Sequence, residues 1–129
     1  MPSIRFYAAI ADDVRKVVRR TVSRLQKLSP IPGGLAVVVC PAATVGVDDT
    51  FGFGMFGAPN NKPLIAIGGI FSRDMRKQLS RADWLLMLPV TISHEWVYAE
   101  QWRDGRPLNE RGIGRRQKEL ASAIVMLPW

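Results

Sequence analysis

Apolar residues Ile10, Val14, Val17, Val18, Val22, Leu25 and Leu28 recur at three- and four-residue steps. That spacing predicts one apolar stripe along a helix of about five turns. Asp12 and Asp13 stand at its start, where the helix macrodipole favours anions. The run Ser29-Pro30-Ile31-Pro32-Gly33-Gly34 stops it, because proline cannot continue the hydrogen-bond ladder. Leu35 to Cys40 is short, β-branched and bounded by Gly and Pro, which predicts a buried strand. Residues 50–57 alternate Phe51, Phe53 and Met55 with Gly52 and Gly54. The turn cluster Ala58-Pro59-Asn60-Asn61-Lys62 follows, and residues 63–68 read as a second strand, so 50–68 is expected to form a hairpin. Residues 72–80 suit a short basic helix or an extended loop. From Ala82 the chain carries Trp84, Leu85, Leu86, Met87, Leu88, Val90, Ile92, Trp96 and Val97. A helix apolar nearly all round is expected at the centre of a fold, with Pro89 either kinking it or opening a new one. Asp104-Gly105-Arg106-Pro107 ends it, and a last helix is expected over 109–126, weakened early by Gly112 and Gly114. The order helix, strand, hairpin, central helix, terminal helix predicts one α+β domain over residues 1–129, with helices packed on a small, mostly antiparallel sheet.

Composition narrows the chemistry. The chain has 129 residues, 47% hydrophobic and 22% charged, which is a globular balance. One cysteine, Cys40, excludes a disulfide framework and a thiolate metal cage, and next to Pro41 it reads as a small hydrophobe at a strand end. One histidine, His94, excludes any site built on two imidazoles of one chain. No apolar run of 18 residues occurs, so no membrane partner is expected. Residues 1–7 lack the apolar stretch of a secretion signal, and a reducing cytoplasm is the expected compartment.

Charge adds a candidate partner. The 18 Lys and Arg against 11 Asp and Glu give +7. The excess is spread along the chain, which suits acidic partners or nonspecific attraction to nucleic acid as well as a merely solvated helix face. Arg103, Arg106, Arg111, Arg115 and Arg116 lie near Trp102, a mixture suited to phosphate contact with stacking. No pattern for sequence-specific reading of nucleic acid is present.

The sharpest local feature is Thr91-Ile92-Ser93-His94-Glu95-Trp96-Val97-Tyr98. In H-E-x-x-H, two imidazoles one helical turn apart hold zinc, and the adjacent glutamate takes a proton from metal-bound water. Here His94 and Glu95 stand at the correct spacing, and Tyr98 stands where the second imidazole would be. The bland alternative is a core histidine satisfied by its neighbours, with Glu95 paired to His94 or to an arginine, and Tyr98 and Trp102 as packing residues. Gly52-Phe53-Gly54 suits an edge strand to which a peptide could add, or equally a strand whose glycines make room for tryptophans.

The segment His94-Glu95-Trp96-Val97-Tyr98-Ala99-Glu100-Gln101-Trp102 resembles the active-site helix of small zincin-like metallopeptidase domains of phages and mobile elements. Glu119-Leu120-Ala121-Ser122-Ala123-Ile124-Val125-Met126-Leu127-Pro128 is similar to the third-ligand helix of the phage-repressor-cleaving zinc peptidases. The resemblance implies a zincin-like fold with Glu95 as general base. It implies zinc ligands His94 and Glu119, with Glu110 as competitor for the third place and Tyr98 in the second. A neutral phenol, with a pKa near 10, is a poor zinc ligand unless the metal deprotonates it. The function implied is therefore either a non-catalytic metallopeptidase relative that binds protein or peptide, or a zinc-dependent peptidase with an unusual second ligand, so that zinc and no cofactor are equal expectations. The other class is a basic phage or mobile-element protein that binds a partner protein or nucleic acid.

Overall fold

The computed structural model describes residues 2–47 and 50–126, without the side chains of Val47, Thr50, Phe51, Val125 and Met126. The Phe51 side chain and the Leu127-Pro128 end of the resemblance lie outside what is described. In chain order the elements are β1 (Ser3–Phe6), α1 (Asp12–Leu28), β2 (Ala36–Cys40), β3 (Val45–Val47), β4 (Thr50–Gly52), β5 (Gly54–Gly57), β6 (Leu64–Gly68), α2 (Arg73–Arg76), α3 (Arg81–Arg103) and α4 (Ile113–Met126).

The sheet is mixed rather than mostly antiparallel. Its order is β1-β2-β6-β5, with β1, β2 and β6 parallel and only β5 antiparallel, against β6. The direction follows from connectivity. α1 lies between β1 and β2, and a helical crossover returns the chain to the same edge, so neighbouring strands run the same way. The expected hairpin exists but is shorter. β5 and β6 pair through the turn at Pro59–Asn61, where Asn60 and Asn61 take positive φ of 53° and 58°. β4 leaves it and pairs with β3 as a separate two-stranded ribbon.

One face of the sheet closes the core. Val37, Val39, Ile65 and Ile67 are fully buried, while Ala36, Val38, Leu64 and Ala66 between them are half-buried. The α1 stripe of Val14, Val18, Val22 and Leu25 joins the same cluster, as do Trp84, Leu88, Ile92 and Trp96 of α3. Ser72 and Ser80 start α2 and α3 by accepting hydrogen bonds from the N–H of Met75 and Asp83. α3 runs on through Pro89 as one 23-residue helix and ends where Gly105 takes a φ of 68°. It is not buried all round, because Leu86, Met87 and Val90 face water. α4 starts at Ile113, four residues later than expected, since Gly112 at φ 77° lies before it rather than in its first turn. None of these helices is long and apolar enough to cross a membrane.

Three helices meet at one buried ion cluster. Glu100 of α3 is only 3% exposed. Arg116 of α4 grips it with one edge of its guanidinium, through Nε at 2.9 Å and Nη2 at 2.7 Å, and the hydroxyl of Ser29, just past α1, donates to it. Arg103 donates to Ser29 Oγ at 3.0 Å, and the indole N–H of Trp96 donates to the Ser29 carbonyl at 2.9 Å. Burial pushes the Glu100 carboxyl up, but the hydrogen bonds from Arg116 and Ser29 outweigh it and hold it below the usual range.

Trp96→Phe keeps an aromatic ring but strands the buried Ser29 carbonyl. It should lower stability by about 1–3 kcal/mol in urea unfolding. Leu86→Ala, at a position 71% exposed, should stay within about 0.5 kcal/mol of wild type.

Candidate functional site

A groove of about 680 Å³ opens between β5, the β3–β4 ribbon and α3. Strand and helix come close because Gly54 has no side chain. A Cβ there would lie 2.8 Å from Thr91 Cγ2 and 3.1 Å from Glu95 Cγ. β5 is the last strand of the sheet, so one of its edges is left without a strand in that sheet. The Gly68 N–H donates to the Phe53 carbonyl at 3.0 Å. Hydrogen-bonded pairs alternate along an antiparallel ladder, so Gly54 and Phe56 turn their N–H and C=O away from β6.

Along the groove α3 presents Thr91, His94, Glu95 and Tyr98. The i, i+4 spacing puts His94 and Tyr98 on one helix face, and their rings meet edge to face, with centroids 5.6 Å apart and planes at 70°. His94 Nδ1 lies 2.9 Å from Gln117 Oε1 of α4. An amide oxygen only accepts, so Nδ1 is the donor in this contact. Nε2 faces Glu110 Oε1 at 4.0 Å, and the Tyr98 hydroxyl donates to that same oxygen. Burial and the hydrogen bond to Glu110 both raise the Tyr98 pKa, which keeps the phenol neutral.

Glu95 is 4% exposed, and its Oε2 has no hydrogen-bond partner in the described structure. Burial pushes its pKa up to about 7; His94 opposes the shift and Glu110 adds to it. A carboxyl in that state exchanges protons near neutrality.

The expected residues divide between two places. His94, Glu95, Tyr98 and Glu110 line the groove, whereas Glu119 lines a smaller one, of about 380 Å³, with Glu100, Arg115 and Arg116. There Glu119 is held by Arg116 at 3.1 Å and Arg115 at 3.7 Å. Of the two candidates for the third ligand, Glu110 is therefore the one beside His94. Among the described residues no three His, Cys, Asp or Glu side chains converge as a metal site. Beside His94 the groove holds two carboxyl side chains, Glu95 and Glu110, and Glu110 already accepts from the Tyr98 phenol. Cys40 is half-buried at the end of β2, and burial raises its thiol pKa, consistent with a packing role.

The expected basic cluster lies along the end of α3, the connection 104–112 and the start of α4. Trp102 is half-buried, and its ring edge lies 3.2 Å from where a Gly33 Cβ would be. Arg103 and Arg106 are paired with Asp104, and Arg116 with Glu100. Residues not foreseen are Gln117, which lies against the imidazole, and Met87, Val90 and Leu108, which with Phe53 of the expected edge strand form an exposed apolar rim. A glutamine on a polar helix face carries no sequence signal. The rim did carry one, since an apolar stretch too broad for one buried face leaves a remainder outside.

No protein-family model, no curated protein and no solved structure matches the chain.

The Glu95 shift fixes the sign of a pH effect. Its carboxyl titrates near 7 in the folded chain and near 4.5 when unfolded. Between those values the folded state holds more proton, so this group's contribution makes stability fall as pH rises from about 4.5 to about 7 and then level off. Wild type minus Glu95→Gln in urea melts from pH 5 to 8 should show this slope. The variant should gain about 1–3 kcal/mol relative to wild type by pH 8.

Proposed function

We propose that the chain is a zincin-like, non-catalytic peptide-binding domain, which takes an extended protein segment along the outer edge of β5. The observation that carries this reading is the edge strand beside α3. Gly54 and Phe56 turn backbone donors and acceptors away from the sheet, into a groove whose rim is apolar and exposed. An added strand would satisfy those groups, and alternate side chains would enter the groove. The position of His94 and Glu95 beneath an antiparallel edge strand supports the zincin likeness, and Tyr98 on Glu110 supports the non-catalytic form. Arg103, Arg106 and Arg116 are paired with carboxylates, which weighs against phosphate contact by these three.

Amide exchange tests the binding mode. A panel of apolar, extended decapeptides at saturating concentration should protect the amides of Gly54 and Phe56. Protection confined to other elements, or no binding by any peptide, would overturn the reading.

Zinc titration by calorimetry tests the non-catalytic half. Structural zinc binding is worth roughly 10–16 kcal/mol over about four ligands, so two ligands supply about half. Wild type should bind zinc no tighter than about 1 μM. Stoichiometric nanomolar binding would restore the peptidase reading.

A further inference from the structure

The groove's charge runs against that of the chain. The protein carries +7, yet the charged side chains lining the groove are Glu95 and Glu110, with no Lys or Arg among the described lining residues. Glu95 lies against the strand, its Cγ 3.1 Å from where a Gly54 Cβ would be. Its Oε2 is buried and has no hydrogen-bond partner in the described structure. A buried acceptor without a donor costs free energy, which an incoming donor would recover. Glu110 spends one oxygen on the Tyr98 hydroxyl, with His94 Nε2 4.0 Å from it, and its side chain is 74% exposed. Around this pair, Phe53, Met87, Val90 and Leu108 present exposed apolar surface.

Resting on the peptide-binding reading above, we propose that the groove selects an extended segment that places one basic side chain against the carboxylates of Glu95 and Glu110, with apolar residues on either side. Three features converge on this occupant. The backbone edge at Gly54 and Phe56 orders a strand, the carboxylates accept from an ammonium or guanidinium, and the apolar rim covers the flanking residues. A lysine or arginine suits the depth of the groove, because its long apolar stem can lie against Met87 and Val90 while its head reaches the acids. An acidic segment would meet like charge in a partly desolvated site.

Binding of three fluorescein-labelled decapeptides, read by anisotropy, tests this. They share one apolar alternating sequence and differ only at the centre, with Lys, Leu or Glu. The net charge of the chain alone ranks the Glu peptide first and the Lys peptide last. The proposal reverses that order. Lys should bind about tenfold tighter than Leu, a difference of about 1.4 kcal/mol, and Glu should be weakest. In Glu110→Gln, which keeps an oxygen to accept from Tyr98, the Lys-to-Leu ratio should shrink to about threefold or less, and in Glu95→Gln it should shrink likewise. If the three peptides bind wild type equally, or if Glu binds best, the basic-residue preference is wrong while the peptide groove stands. If the ratio survives both substitutions, the preference arises elsewhere and the assignment to this groove is overturned. If none of the peptides binds, the peptide reading itself falls and takes this proposal with it.

Discussion

The carboxylate of Glu100, nearly out of water, constrains where three helices can go. A buried carboxylate without partners costs several kcal/mol, so the fold must deliver donors to that one point. It does so from Ser29 beyond α1 and from Arg116 of α4, and Trp96 closes the corner by binding the Ser29 carbonyl. The residue after Arg116 is Gln117, which holds His94. The same seating of α4 that satisfies Glu100 therefore sets the imidazole in the groove.

Two buried glutamates on one helix thus meet opposite fates. Glu95 and Glu100 are five residues apart, roughly 140° around α3 at 3.6 residues per turn. Glu100 faces cations and stays ionised, while Glu95 faces the sheet edge without a cation and is driven toward its neutral form. One is a fastening within the fold. The other is an open valence of the groove, and a group left unsatisfied by its own chain is where an external group gains most.

Much of the helical frame was legible because burial imposes a period. The valines of α1 recur at helical steps, and β2 and β6 are β-branched runs cut off by Gly and Pro. β1 was not legible. Ser3-Ile4-Arg5-Phe6 is short, carries a charge and is only half-buried, so nothing local separates it from a loop. Missing it hid the strand-helix-strand crossover and hence the sheet's direction. The Gly-rich stretch 45–57 carries too few side chains to show which strand each piece pairs with. At the site, His94, Glu95 and Tyr98 were visible as a spacing on one helix. The choice between Glu110 and Glu119 was not, because it depends on how the connection 104–112 folds back over α3 and on which carboxylate the arginines of α4 claim.

The hydroxyl of Tyr98 also bears on descent. It ties α3 to Glu110, in the connection that leads into α4. An imidazole at position 98 is shorter than a phenol and has no hydroxyl at that reach, so it would release Glu110 and with it that side of the groove. Residues 98 and 110 therefore form an epistatic pair: the worth of each depends on the other. With histidine at position 98 and glutamate at 110 the tether is lost, so a change at one position alters what the other can tolerate.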